Sequence, residues 1–319
     1  MEGKAASIVI IAGGSRPDID ELMLSLAETQ YTPCETLVVD NSAGGLGNSF
    51  TVAFPNAKVT RPPARLTFAE GANFGMKAAL GRGAQLVFLI NDDVTVHPKA
   101  LAILAEAERR NGPGIYAPEI WPYEGGLKRT RRAIDWAKRL AVQVPVTLNG
   151  SLTQIQYAEG SAMLISAEVV KRVGFFDEDF GFYYEDADYS IRAAAKGFPV
   201  CEAEGARVWH KGSVSAGKGM SPFKAYYRAR NTVKFALKHR DRAKLVRIAL
   251  YHFGEFVIPT IIRSTTRAIA GSRRDARVLA AVLKGTWDFI AGNGHVPGPQ
   301  ALADMSEEID RLPLPRQAC

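Results

Sequence analysis

Acidic residues gathered at the ends of apolar runs are the first chemistry this sequence offers. Asn91-Asp92-Asp93 directly follows Gln85-Leu86-Val87-Phe88-Leu89-Ile90. Adjacent carboxylates at a strand end can hold Mg2+ or Mn2+, and such an ion neutralises a diphosphate. The same tripeptide is also the material of an Asx-turn that ends a strand and starts a helix. Asp40 closes a second run, Thr36-Leu37-Val38-Val39, in the same topological position, where it could bond a ribose or a base. Farther on, Glu185, Asp186 and Asp188 stand among Phe180, Phe182, Tyr183, Tyr184 and Tyr189. Aromatic surroundings desolvate carboxylates and raise their pKa toward values useful to a general base. A helix start attracts acids as well, and Asp188 is spaced to pair with Arg192 at i,i+4. His210 follows Val208-Trp209 and precedes Lys211-Gly212. That is a place for a metal ligand, a phosphate contact or an ordinary structural histidine.

Acids at strand ends need a sheet to carry them, and the first half of the chain supplies one. Ser7 to Ile11, Thr36 to Asp40, Lys58 to Arg61 and Gln85 to Ile90 read as strands. Helices are expected from Pro17-Asp18, over Ala72 to Leu80, and after His97-Pro98 to about Arg110. Apolar strands alternating with helices predict an α/β fold with a mostly parallel sheet covered on both faces. Ligands of such sheets bind at the carboxyl edge. Residues 112 to 157 read as loop-rich, with Pro113, Pro118, Pro122 and Pro145 and a basic run at Lys128, Arg129, Arg131 and Arg132. A strand over Ala162 to Ile165 and a helix ending near Lys196-Gly197 follow. The spacing then predicts basic helices beyond Gly217. The expected organisation is a catalytic domain over 1–217, a basic helical extension over 218–292 and a tail over 293–319.

The 319 residues are 47% apolar and 23% charged, which suits a globular protein and excludes disorder. Forty Lys and Arg against 33 Asp and Glu give a net charge of +7, which favours anionic partners. Cys34, Cys201 and Cys319 are too scattered for a disulfide framework or a zinc cluster, so a reducing compartment is expected. Ala5 to Ala12 ends in Gly13-Gly14 and reads as a buried strand rather than an export signal. No run of about eighteen consecutive apolar residues occurs, so no spanning helix is predicted. Ala12-Gly13-Gly14-Ser15 with Asp40 imitates half of a dinucleotide fingerprint, but the G-x-G-x-x-G spacing is absent. A nucleic-acid binder is disfavoured, because the basic residues cluster outside the α/β part without a recognition motif.

The ordered set of motifs resembles the inverting glycosyltransferases of family 2, and especially their bacterial rhamnosyltransferase-like branch; the resemblance implies the GT-A fold, a Rossmann-like nucleotide-sugar-binding mixed sheet, here with a C-terminal helical extension. The resemblance is carried by Ile90 to Val94, Phe182 to Tyr189 and Trp209 to Gly212, together with Gly71 to Gly75, Gly160 to Ile165 and Phe175 to Phe180. It covers about residues 7 to 215. The sequence departs from the branch at Ala12 to Pro17, which replaces a Pro-Thr-x-Asn type of turn, and at Asn91, which replaces the first Asp of a strict D-x-D. The resemblance implies Asp93 as a ligand of Mg2+ or Mn2+ supported by Asp92, and His210 on the metal or the diphosphate. Asp40 would meet the donor's base or ribose, and Asn73 would lie beside the nucleotide-sugar. Asp186 would be the catalytic base, with Glu185 its neighbour. The implied reaction moves a sugar, first choice from dTDP-rhamnose, to a hydroxyl of a glycan or lipid-linked acceptor in surface polysaccharide synthesis. Rival readings are a nucleotidyltransferase and a catalytically inactive nucleotide-sugar-binding or scaffold subunit.

Basic residues from Arg228 to Arg277 flank an apolar patch expected around Phe253, Phe256 and Ile261. Cations beside an apolar face suit anionic lipid head groups. The enzyme is therefore expected in the cytoplasm at the inner face of the membrane, with a homo-oligomer surface as the other use of these helices.

Overall fold

The computed structural model describes residues 3–125, 130–135, 140–145, 152–212, 220–239 and 242–292, with Ala301, Asp304 and Glu307. Lys128, Arg129, the expected boundary at Gly217, Arg240 and nearly all of the tail over 293–319 lie outside the described residues, as do the side chains of Arg131 and Arg132. The first elements are β1 (Ala6–Ala12), α1 (Arg16–Ala27), β2 (Cys34–Asp40), α2 (Asn48–Ala53), β3 (Ala57–Thr60), α3 (Phe68–Gly81), β4 (Leu86–Asn91), β5 (Val94–Val96) and α4 (Ala100–Asn111). Then come β6 (Ile115–Pro122), β7 (Thr130–Asp135), β8 (Leu140–Pro145), β9 (Leu152–Gln154), β10 (Ala162–Ser166), α5 (Ala167–Val173), α6 (Glu185–Ala195) and β11 (Val200–His210). The last are α7 (Pro222–His239), α8 (Arg242–His252), a π-helical turn (Phe253–Val257), α9 (Ile258–Ile269) and α10 (Arg273–Ile290).

Two compact units divide the chain. The sheet unit comprises Met1–Ala133, Gln143–Glu178 and Glu185–Gly212, and the helical unit Ile134–Val142, Asp179–Tyr184 and Ser213–Cys319. In the sheet unit the strand order is β3-β2-β1-β4-β10-β6-β11-β5, with β9 also on β11. The strands β3, β2, β1 and β4 run parallel, as their apolar runs predict. The sheet as a whole is mixed, as the GT-A resemblance implies, although the apolar runs alone suggest a mostly parallel one: β10 is antiparallel to both β4 and β6. A strand buried on both faces has the same composition in either direction, so Ala162 to Ser166 carried no directional signal.

The region expected to be loop-rich holds β6, β7, β8 and β9. Pro118 is tolerated because it stands opposite the register shift between Glu202 and Arg207, where no ladder bond is needed. Alternation along β1 sorts the core onto two faces. Ile8 and Ile10 pack with Ile19 and Leu22 of α1 and Leu104 of α4. Val9 and Ile11 pack with Ala72 and Met76 of α3 and Val169 of α5. Helix α3 begins four residues before the expected Ala72, because Thr67 and Glu70 form a reciprocal capping box. It lies close on β1: a Cβ at Gly75 would come within 2.3 Å of Val9 Cγ1.

The helical unit packs Tyr226, Tyr227 and Ala229 of α7 with Phe256 and Val257 and with Val278, Ala281 and Val282 of α10. A Cβ at Gly285 would sit 2.4 Å from the Tyr226 carbonyl oxygen, so α7 and α10 touch backbone to backbone there. Phe256 is thus buried and Phe253 and Ile261 pack against this core, which corrects the apolar patch expected at those three residues. The exposed apolar side chains of the same helical run are Val246, Leu250, Ile258, Ile262 and Ile269. Leu245–Ile269, with a mean hydropathy of 1.5, is long and apolar enough to cross a membrane by length and composition. The expectation of none rested on uninterrupted runs, which His252 and Glu255 break without much lowering the average.

Within the helical unit, Asp179–Tyr184 is held by two neighbouring residues of α7. Asn231 Nδ2 donates to the carbonyls of Phe180 (2.8 Å), Phe182 (2.8 Å) and Tyr183 (3.2 Å). Arg230 Nη1 donates to Asp179 O and to Asn231 Oδ1. These bonds maintain left-handed backbone at Tyr183 (φ 64°) and Tyr184 (φ 75°). For bulky residues that conformation costs about 1–3 kcal/mol each and persists only where its surroundings over-determine it.

Candidate active site

Strand order reverses direction between β1 and β4, the two strands whose following turns must open a crevice at the carboxyl edge. The register aligns their ends: Ile11 stands opposite Asn91, and Ala12 opposite Asp40. Asp92 is seated on the turn after β1. Its Oδ2 accepts hydrogen bonds from Gly13 N at 2.8 Å and Gly14 N at 2.6 Å. A Cβ on Gly14 would come 3.1 Å from both Asp92 carboxylate oxygens. Gly14, in the pair that imitated a dinucleotide motif, therefore leaves room for a carboxylate. Burial chiefly, with the charge of Asp93, pushes the Asp92 carboxyl up to about 6 against the pull of the glycine amides.

Asp93 and His210 meet because β11 is antiparallel to β5, with His210 opposite Val94. Lys211 N donates to Asp93 O at 3.0 Å, and His210 Nε2 stands 3.2 Å from Asp93 Oδ1. That oxygen is buried and accepts no hydrogen bond. Lys211 is committed elsewhere, to Asp18 and Glu21 of α1.

The second acidic group opens α6. Glu185 is buried, and its Oε2 has no hydrogen-bond partner. Burial foremost, then the charges of Asp186 and Asp188, holds its carboxyl well above the usual range. Asp186 is half-buried, and its Oδ2 accepts from Gly160 N at 2.9 Å. Asp188 pairs with Arg192 at 2.7 Å, the i,i+4 pairing its spacing predicted. Gly160 leads into β10, and Asn91 N donates to Ser161 O at 3.0 Å. The two acidic groups thus flank one strand junction.

Asp40 and Asn73, expected beside the nucleotide-sugar, also hold the loops around them. Asp40 accepts from Ser42 N (3.2 Å), Ser42 Oγ (2.6 Å), Leu46 N (2.9 Å) and Arg61 Nη1 (3.0 Å). These four bonds fill the acceptor capacity of a carboxylate and shape the loop after β2. The Ser42 and Leu46 bonds and the Arg61 charge outweigh burial and lower its pKa. Asn73 donates to Phe176 O and Glu178 Oε1 and accepts from Phe176 N, so it fastens 176–178 to α3. No role is read from the sequence for the Gly13-Gly14 seat of Asp92, the Gly160 amide or Asn231. The glycine pair after a strand is the available signal for the first and the Gly160 to Ile165 motif for the second, and nothing local marks the third.

Among the described residues no three His, Cys, Asp or Glu side chains gather into a ready-made metal shell. Asp93 Oδ1 with His210 fits a divalent ion that takes its remaining ligands from a diphosphate and water, as Mg2+ does with one or two carboxylates.

The chain is similar to known proteins in sequence and in fold. Residues 7–174, more than half of the chain, match the glycosyl transferase family 2 domain. A low-salt glycan biosynthesis hexosyltransferase of Haloferax volcanii is 21% identical over 272 residues, covering 83% of this chain and 87% of that protein. An N-acetylglucosaminyl-diphospho-decaprenol L-rhamnosyltransferase of Mycobacterium tuberculosis is 23% identical over 265 residues, covering 73% and 84%. A mannosyltransferase from Pyrobaculum calidifontis, solved with GDP-Man and Mn2+, shares the fold with a TM-score of 0.56 at 14% identity, covering 90% of this chain and 88% of that one. The mixed sheet is that of the GT-A glycosyltransferases, and the chain belongs to glycosyl transferase family 2.

Proposed function

We propose that this glycosyltransferase is metal-dependent and inverting, and that it moves rhamnose from dTDP-rhamnose to a hydroxyl of a glycan or lipid-linked acceptor. The observation that carries the reading is the unmet, buried Asp93 Oδ1 beside His210 at the strand-order reversal. A Mg2+ or Mn2+ ion held by Asp93 and His210 would supply positive charge to the departing diphosphate. Asp92, fixed on the glycine amides, orients the turn that carries Asp93. Asp186 takes the proton of the acceptor hydroxyl as that oxygen attacks the anomeric carbon, and a single displacement inverts the centre. Glu185, held toward its neutral form, spares Asp186 a second negative charge beside it. The rhamnosyl donor and a lipid-linked acceptor are supported by the likeness to the mycobacterial enzyme.

The same reading divides the chain into a catalytic domain over 1–217, a basic helical extension over 218–292 and a tail. It sets the enzyme in the cytoplasm against an anionic membrane. Val246, Leu250, Ile258 and Ile262 are exposed at intervals of four or eight residues, next to exposed Arg263 and Arg267, and that pattern supports an interfacial face.

Hydrolysis of a panel of dTDP-, UDP- and GDP-sugars, with and without Mn2+, tests the proposal. Turnover greatest with dTDP-rhamnose and lost on chelation is expected. Turnover of another donor overturns the rhamnosyl assignment, metal-independent turnover overturns the ion, and binding without turnover of any donor would leave an inactive subunit.

A further inference from the structure

Directly after His210, Lys211 carries its ammonium onto α1. Its Nζ stands 2.6 Å from Asp18 Oδ1 and 2.7 Å from Glu21 Oε2. Asp18 and Glu21 are i,i+3 neighbours, so the first turns of α1 present both carboxylates on one face. The ammonium also lies over the Tyr123 ring at 4.9 Å, and the Tyr123 hydroxyl donates to Glu21 Oε1. The side chains of Lys211 and Asp18 are each 16% exposed, which shelters this ion pair from the screening that weakens surface pairs.

These contacts close a ring of bonds around the turn that carries Asp92 and Asp93. Gly14 N donates to Asp92 Oδ2 at 2.6 Å. Ser15, next in the chain, caps α1: its Oγ accepts from Asp18 N at 3.4 Å and donates to Asp18 Oδ2. Asp18 takes the Lys211 ammonium, and Lys211 N donates to Asp93 O at 3.0 Å. Tyr123 N adds a bond to His210 O at 3.2 Å. From Asp92 round to Asp93, every link is a hydrogen bond or the chain itself.

The ring matters because His210 stands on the last rung between β11 and β5. Strand ends open locally at little cost when nothing beyond them is tied. Mg2+ demands near-ideal ligand geometry, and a site looser by about 1 Å fails as a site. Lys211 ties the chain one residue beyond that rung, by its backbone to Asp93 and by its side chain to α1. Its charge is already spent there. The Lys211 and Tyr123 bonds hold the Glu21 carboxyl below its usual range, so the ammonium serves two carboxylates.

We propose that Lys211 is a positioning residue, whose ion pairs with Asp18 and Glu21 keep Asp93 and His210 together for the divalent ion. The proposal rests on the metal reading above.

Mn2+ binding to the full-length chain, followed by the EPR signal of free Mn2+ with dTDP, UDP or GDP in turn, tests this without turnover. The wild type should bind Mn2+ saturably with at least one of the three. Lys211→Met should weaken that binding about tenfold, and so should Asp18→Asn with Glu21→Gln. All three substitutions together should weaken it no further, because each removes the same tie. Lys211→Arg should restore it to within a few-fold. Transfer should show a matching split, with a raised Mn2+ requirement and a kcat at saturating Mn2+ within a few-fold of wild type. A Lys211 that touched phosphate directly would give another pattern: Lys211→Met would weaken binding and the Asp18, Glu21 pair of substitutions would not. That pattern overturns the proposal, as does a kcat that excess Mn2+ fails to restore. Wild-type binding that both variants keep unchanged defeats the role of Lys211 alone. Absence of Mn2+ binding by the wild type defeats the metal reading, and the role of Lys211 with it.

Discussion

In the sheet unit, the large apolar side chains that reach solvent among the described residues are Leu24, Val52 and Tyr123; in the helical unit they include Val246, Leu250, Ile258, Ile262, Ile269, Leu283, Trp287 and Ile290. Both units bury polar groups, which in the helical unit include Arg230, Asn231 and Asp288. Asp40, Asn73, Asp92, Glu185 and Asp188 are all buried in the sheet unit, and most are held by backbone N–H groups or a cation. The sheet unit gathers buried acids at its strand ends, and the helical unit combines its buried polar groups with a larger set of apolar side chains left outward. A reaction on a charged donor needs the first arrangement, and attachment to an apolar surface needs the second.

The sharpest way to break this contrast is to remove the unmet acid. Asp93→Ala should abolish transfer and metal-supported binding of a nucleoside diphosphate, measured by calorimetry with Mn2+. Wild-type affinity in the variant would take Asp93 out of the site. Asp186→Asn should retain donor affinity and lose on the order of 10²–10⁴-fold in kcat. Turnover within a few-fold of wild type would pass the role of base to Glu185.

The apolar side of the comparison is tested on Leu250→Ser with Ile262→Ser. Both side chains are exposed, so folding is spared, and each buried apolar side chain is worth about 1.5–3 kcal/mol. Sedimentation with phospholipid vesicles should fall by tenfold or more and should do so at high salt too. Unchanged sedimentation would make this face an interface between copies of the chain.

His252 is a buried, neutral ring of the helical unit. Its pKa of about 4 lies below the ordinary value of 6.5, so the unfolded chain binds the extra proton first as pH falls. Stability from this group is intact above pH 6.5 and declines toward pH 4, by on the order of 3 kcal/mol in all. Thermal melts of His252→Gln should lose that slope, and a parallel pH profile in wild type and variant would contradict it. The smallest expected effect belongs to Arg263→Gln with Arg267→Gln. Binding to acidic vesicles should weaken by up to about 1 kcal/mol per residue at low salt and not at high salt. Equal wild-type binding to neutral vesicles would remove the electrostatic part.

Several of these features were legible in the sequence for local reasons. Apolar runs ending in Asp40 and Asn91 gave parallel strands and their carboxyl edge, and the Asp188–Arg192 spacing gave an ion pair. What escaped depended on partners distant in the chain. The direction of β10 is set by its neighbours β4 and β6 and by no residue within it. The hydrogen bonds of Asp40 to the loop after β2 and of Asn73 to residues 176–178 are likewise not marked by any local pattern. The apolar patch was placed on the wrong side chains because the π-helical turn alters the periodicity. Steps of four residues overshoot an α-helical turn of 3.6, and the wider turn over Phe253–Val257 takes back part of that drift. The stripe through Leu250, Ile258 and Ile262 therefore stays outward while Phe253 and Phe256 turn in.

Asn231 also has a consequence in time. The carbonyls it holds lie 48 to 51 residues before it in the chain. At about 5–20 residues per second, the ribosome needs several seconds to cover that distance. During that interval the left-handed pair Tyr183–Tyr184 has no fastener for its cost in backbone energy. A nascent chain stopped short of Asn231 contains every residue of the candidate active site and lacks the side chain that holds residues 180–183 in place.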